Sequence, residues 1–254
     1  MQKTESNFIA FLAIIATALG GGAFALSWQS SNHFFEFSPA NDGFVAPRNI
    51  SKVIDETQAS TVQVNCNVSK NEGSIGTGWA IDSSLLNVSS SKTTLVTNHH
   101  VIEECIDGAG VVTINRLFRK EKPAEILFYD KKNDLAVLET DVELKPLELS
   151  ENILWPGYWV MALGSADGYE GSVAFGTVLN ITYEDVLITN NVSQGNSGGP
   201  LVDNEGKVVG IVTWGMDYGK EQYNGARNLD VFCMKVLKCD YEFDGEKTWF
   251  DYEE

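Results

Sequence analysis

Basic charge is scarce in this sequence: 18 Lys and Arg stand against 35 Asp and Glu, a formal net charge of −17 over 254 residues. That balance excludes a nucleic-acid binder held by phosphate contacts and fits a soluble, acidic domain. Histidine is scarcer still, with only His33, His99 and His100. His33 sits in a polar stretch, so imidazole chemistry falls to the adjacent pair. No CxxC pair is present, which argues against a structural zinc site, and neither a metal nor another cofactor is expected. No repeat of fixed period occurs. Beside these absences, a hydrophobic fraction of 43% is ordinary for a folded domain with a sizeable core.

One long uncharged run does occur, "FIAFLAIIATALGGGAFALSW" from Phe8 to Trp28. It is long enough to span a bilayer. Lys3 precedes it and the next cation is Arg48, an asymmetry that puts the N-terminus inside and the remainder outside. Ala23 to Ala25 also fit a small-residue cleavage site. Residues 1–28 therefore read as a signal peptide or a signal anchor, with membrane contact only if the segment is retained. Either way the domain lies outside the cytoplasm. Residues 29–50 read as a linker, and the alternating acids and aromatics of 241–254 as an acidic tail.

Cys66, Cys105, Cys233 and Cys239 all lie beyond the apolar run. In an oxidising compartment an even number suggests disulfides. Three pairings are open; Cys66–Cys105 with Cys233–Cys239 is favoured. Six helical steps would separate Cys233 and Cys239 by about 9 Å, too far for a bridge, so that pairing requires the chain to turn between them.

The body of the chain is all-β in pattern. After a short helix expected at an N-cap Ser51, strands Thr61–Val68, "GTGWAID", "TTLVTN", "GVVTIN", "LAVLET", "GYWVMALG", "DVLITN" and "KVVGIVTW" are punctuated by Gly, Asn, Asp and Ser. Among them, "QGNSGGPLVD" crowds glycines around Ser197 just before a buried strand. Glycine there permits strained angles or close approach, so the turn reads as one that presents Ser197. A serine hydroxyl is a weak nucleophile without a base. The pair in "TTLVTNHHV" supplies an imidazole, and Asp134 in "YDKKNDLAVLE" supplies an acid to fix its tautomer. Each signal alone is modest.

In this order the three segments resemble the histidine, aspartate and serine motifs of the trypsin-like serine peptidases, of the HtrA/Deg type. "GTGWAI", "GYWVMALGSADG" and "SVAFGTVL" match intervening family segments, so the likeness runs from about Ser51 to Asp230. The resemblance implies a protease domain over 51–240 built as two six-stranded antiparallel β-barrels, preceded by the N-terminal hydrophobic helix, with the site between the barrels. It implies a serine endopeptidase acting on polypeptides through His100, Asp134 and Ser197, with the amides of Gly195 and Ser197 as oxyanion donors. It places Asn191 near the base of the primary pocket, Thr213, Trp214 and Gly215 along one wall and Gly225 at another. No acid stands at 191, so Lys or Arg preference is not expected; a small or medium uncharged residue is. Arg227 reads as a structural arginine rather than a pocket charge. Asn196 replaces the aspartate that pairs with a freed N-terminus in digestive enzymes, so activation of that kind is not expected. No PDZ module fits after Asp230, and an HtrA-type trimer is not implied. The rival function is a catalytically inactive binding scaffold on the same fold. Asn-x-Ser/Thr sequons at Asn49, Asn67, Asn87, Asn180 and Asn191 matter only in a glycosylating host.

Overall fold

The structure is a computed structural model that describes residues 42–69, 72–86, 92–218 and 221–237, with the backbone alone at 214–218 and 221–223. The Phe8–Trp28 run, Cys239, Asn87 and the 241–254 tail lie outside the described residues. No described helix is long and apolar enough to cross a membrane.

The first described element is helix α1 (Ile50–Ala59). Its cap is Asn49 rather than Ser51: the Asn49 side chain accepts the Lys52 N–H at 3.2 Å and the Ser51 hydroxyl at 3.1 Å. Asn and Ser are comparable caps, and the helix begins one residue before the serine. Thereafter short strands follow in the expected places. The first seven are β1 (Thr61–Ser69), β2 (Glu72–Ile81), β3 (Thr93–Thr97), β4 (Val111–Asn115), β5 (Lys122–Pro123), β6 (Glu125–Asp130) and β7 (Leu135–Thr140). They form one sheet in the order β5-β4-β1-β2-β3-β7-β6. Val62, Val64 and Cys66 alternate inward from β1 and meet Leu95, Ile102, Ile114 and Leu138 in its core.

The second group is β8 (Trp159–Gly164), β9 (Ser172–Ile181), β10 (Asp185–Ile188), β11 (Pro200–Val202), β12 (Val208–Tyr218) and β13 (Glu221–Asn228). These close into a barrel, β10-β13-β12-β11-β8-β9, around Val160, Val186, Leu201 and Val212. A further cluster joins the two halves: Trp79 and Val96 from the first meet Met161, Leu163 and Ile211 from the second, sealed by Phe232 of helix α2 (Leu229–Lys235). Full burial of such side chains contributes roughly 1.5–3 kcal/mol each.

The expectation of two six-stranded barrels is met by one. The first sheet carries seven strands and its hydrogen bonding is open. Its added rim strand, β5, is only two residues long and contains Pro123, which has no N–H to pass a ladder onward.

Cys66 and Cys105 are bonded, with Cα atoms 5.7 Å apart, both in the core of the first sheet. Cys233 is also disulfide-bonded.

Candidate active site

Antiparallel pairing of β3 with β7 brings two distant motifs together. The register sets Thr97 opposite Ala136, so the residues just past the end of β3 face those just before β7. Past β3 the chain turns into a one-turn helix, His99–Ile102. Asn98 does not cap this turn; its side chain crosses to donate to the Asp134 carbonyl at 2.7 Å. The Asp134 carboxylate in turn grips His100 twice. Oδ1 accepts the His100 backbone N–H at 2.9 Å, and Oδ2 lies 2.7 Å from His100 Nδ1. Asp134 is held at φ 55°, in the left-handed region that aspartate tolerates better than most residues.

The turn before Asp134 is built by another acid. Asp130 Oδ1 accepts from the amides of Lys132 and Asn133 at 3.0 and 3.1 Å, and Oδ2 accepts from the Asn133 side chain. Burial pushes the Asp130 pKa up, but the Asn133 side-chain bond, the two amides and the nearby Lys235 charge outweigh it and hold the carboxyl below its ordinary value.

Ser197 is carried by a turn stitched to both halves of the molecule. Its carbonyl accepts the Thr77 N–H of β2 at 2.8 Å, while the Gly198 N–H donates to Val212 of β12 at 2.7 Å. Gly198 has φ 85°, and a Cβ there would lie 2.2 Å from the Thr77 carbonyl oxygen and 3.0 Å from the Asn98 nitrogen. Only glycine lets the serine turn press this closely against the start of the histidine helix.

The preceding residues form a turn with the Asn196 N–H on the Ser193 carbonyl at 3.1 Å and Gly195 at φ 91°. That is the signature of a type II turn, whose third residue needs a positive φ. Its central peptide has a fixed orientation, because the Gln194 carbonyl accepts the Asp167 N–H at 2.7 Å. In a trans peptide the N–H points opposite to the carbonyl, so the Gly195 N–H faces the other way. Among the described residues, neither the Gly195 nor the Ser197 N–H meets an internal acceptor. Thr77 braces the turn from behind: its hydroxyl donates to the Gly195 carbonyl at 2.6 Å and accepts the Ser165 N–H at 3.0 Å.

His100 and Asp134 are thus joined directly. Ser197 is brought to the same place through Gly198 and Asn98, but its hydroxyl donates to the Thr213 carbonyl at 2.9 Å, and no hydrogen bond links it to His100. Thr213 is buried at a register shift of β12 between Val212 and Trp214, where Trp214 and Gly215 pair with Gly225 and Asn224 of β13. Asn191 is exposed on the loop after β10. Arg227 is committed elsewhere, 3.0 Å from Asp185 and near Glu184; burial raises the Asp185 pKa against the pull of that arginine. Sequence reading missed the bracing roles of Thr77, Asn98 and Asp130. Thr77 and Asn98 stood inside quoted motifs, but nothing in their spacing reveals partners 36 to 118 residues away.

Comparison with known proteins bears on the family and the fold. The model of the trypsin-like peptidase domain matches residues 76–211, just over half of the chain. Similar curated relatives include probable periplasmic serine endoproteases, DegP-like, from Hahella chejuensis (37% identical) and Pseudomonas savastanoi pv. phaseolicola (38%). Each alignment takes 127 residues, 46% of this chain and 26% of the relative. The chain therefore matches only about a quarter of the length of these relatives. Among solved structures, the serine endoprotease from Yersinia pestis superposes with a TM-score of 0.62 at 21% identity, covering 75% of this chain and 66% of that one. A protease from M. tuberculosis in its active form gives 0.61 at 22%, covering 76% and 88%. At such identities these two likenesses speak for the fold. Motif order, sheet architecture and the family match converge: the chain belongs to the trypsin-like peptidase domain family, on the side of its HtrA/Deg-type members.

Proposed function

We propose that this chain is an exported serine endopeptidase that cleaves polypeptides through an acyl-enzyme, with Ser197 as nucleophile, His100 as general base and acid, and Asp134 as the group that orients His100. The observation that carries the reading is the double hold of Asp134 on the His100 amide and Nδ1. With Nδ1 engaged as donor, Nε2 is left as the acceptor that a nucleophile requires.

In the resting arrangement the Ser197 hydroxyl rests on the Thr213 carbonyl. Rotation about its χ1, a picosecond-to-nanosecond event for an accessible side chain, turns Oγ toward His100. Oγ then attacks the scissile carbonyl carbon as its proton passes to Nε2. The carbonyl oxygen becomes an oxyanion, which the N–H groups of Gly195 and Ser197 receive; loss of one such donor typically costs about 10²–10³ in rate. His100 returns the proton to the departing amine nitrogen, leaving Ser197 acylated. Water, deprotonated by His100, attacks the ester and releases the acid.

The curated relatives are named periplasmic, the Phe8–Trp28 run has the form of an export signal or anchor, and the Cys66–Cys105 bond suits an oxidising compartment. All three support export. The reading sets the primary pocket beside Asn191, Thr213 and Gly225, none of which is an acid, and so favours uncharged residues before the cleaved bond.

Fluorophosphonate labelling of the full chain tests the assignment. Label on Ser197, lost in His100→Ala, is expected. A folded protein left unlabelled, or labelled equally without His100, refutes the peptidase and leaves the binding scaffold.

A further inference from the structure

We propose that Glu170 is a positioning residue for the oxyanion turn, acting through segment Ser165–Gly171, which joins β8 to β9. The inference rests on the peptidase reading above and deepens it.

At its near end the segment sets the orientation of one peptide. The Asp167 N–H holds the Gln194 carbonyl at 2.7 Å, and a Cβ on Gly195 would lie 2.1 Å from the Ser165 carbonyl oxygen. Moving residues 165–167 therefore releases the Gln194–Gly195 peptide to rotate, and with it the Gly195 N–H. Only one orientation directs that N–H away from Asp167 and toward the Ser197 side.

The segment closes a short turn on itself, with the Gly168 and Tyr169 amides on the Ser165 and Ala166 carbonyls at 2.8 Å, and Thr77 holds the Ser165 N–H, but nothing inside the segment fixes its far end. Asp167, Gly168 and Gly171 all have positive φ, and Tyr169 is 76% exposed. What fixes that far end is a junction with the first half of the molecule. The two oxygens of Glu170 meet two different donors: Oε1 accepts from the Asn115 side-chain amide, and Oε2 accepts the Phe118 N–H at 3.2 Å. Gly171 adds its carbonyl, which accepts from Gln58 Nε2 at 2.8 Å. Asn115 is itself buried and fixed, its Oδ1 accepting from Asn65 Nδ2 at 2.8 Å. Phe118 sits at φ 60° with its side chain 91% exposed, so packing does not hold this unusual backbone for a bulky residue. The Glu170 carboxylate is the partner that meets its amide. A carboxylate has acceptors for both donors; a glutamine has one acceptor and brings two donors of its own.

An oxyanion exists in the transition state and not in the bound substrate, so loosening its donor lowers kcat and leaves KM nearly unchanged. A general loss of folding instead lowers the number of active sites.

The test is steady-state hydrolysis of a peptide substrate by full-length wild type, Glu170→Ala and Glu170→Gln, with rates divided by sites titrated with fluorophosphonate. The Ala variant should lose about tenfold or more in kcat, below the roughly 10²–10³ of a deleted donor, with KM within about twofold and phosphonylation slowed in parallel. The Gln variant should fall between it and wild type, and it carries the test alone if the Ala variant does not fold. Per-site kcat within twofold of wild type in the folded variants, or a rise in KM at constant kcat, overturns the role of Glu170. Failure of the wild type to label at Ser197 is a different result: it sinks the peptidase reading, and this inference falls with it.

Discussion

Thr77→Val removes one oxygen and almost no volume, and its effect can be worked out from the hydrogen bonds around it. Thr77 is fully buried. Its hydroxyl satisfies the Gly195 carbonyl and the Ser165 N–H, neither of which has another partner among the described residues. An orphaned buried polar group costs about 1–3 kcal/mol. Valine spares the desolvation of the hydroxyl itself, so the two orphans together should cost about 2–4 kcal/mol. For a domain of this size that is roughly 5–15 °C in Tm. Turnover should fall as well, by about tenfold or more, because one freed group belongs to the turn proposed to bear the oxyanion donor and the other to the segment packed against that turn. Thr77→Ser keeps the oxygen and loses one methyl, a cost of about 1 kcal/mol. The assay is a thermal melt and kcat per titrated site for the three proteins side by side. If the valine variant melts within about 2 °C of the serine variant and turns over equally, the bracing role is wrong.

Three further outcomes are expected. Replacing Cys66 and Cys105 by alanine opens a link of sequence separation 39, and loop entropy puts the loss near 4 kcal/mol as an upper figure; urea melts with an unchanged midpoint would refute a stabilising bridge. The Asp130 carboxyl is held below its ordinary 3.8, so its contribution to stability is complete above that value and is lost as pH falls through the folded-state pKa. Asp130→Asn should flatten the acid limb of the stability curve, and parallel acid limbs for the two proteins would count against the turn. Gly198→Ala must displace backbone at Thr77, and it should cost several kcal/mol, about 3 or more, together with activity; a variant of normal Tm and kcat would contradict the close approach.

The residues of the proposed site were more legible in the sequence than the contacts that hold them. His100, Asp134 and Ser197 stand in short motifs whose residue types suit the proton transfer proposed for them, and such local signals survive reading in one dimension. The strands were legible for the same reason, since inward alternation as in Val62, Val64 and Cys66 is local. Long-range reciprocity was not. Thr77 serves Gly195 across 118 positions and Ser165 across 88, and Asn98 abandons its own helix for Asp134, which only the β3–β7 register explains. The open first sheet escaped notice too, because closure depends on the rim rather than on the pattern within any strand. The resting contact of Ser197 with Thr213 is a rotamer choice, and a motif carries no information about rotamers.

The open sheet also leaves two free margins, and they differ in their hazard. One is the short, proline-bearing β5, which offers a neighbouring molecule almost nothing to pair with. The other is β6, where Leu127, Phe128 and Tyr129 are exposed in succession on a border that no strand among the described residues pairs with. Acids close that stretch at both ends, Glu125 and Asp130, and the net −17 of the chain adds mutual repulsion. Low ionic strength therefore guards solubility. Salt that screens these charges exposes a ready template for strand-to-strand aggregation, with β6 as the place where copies would first stick.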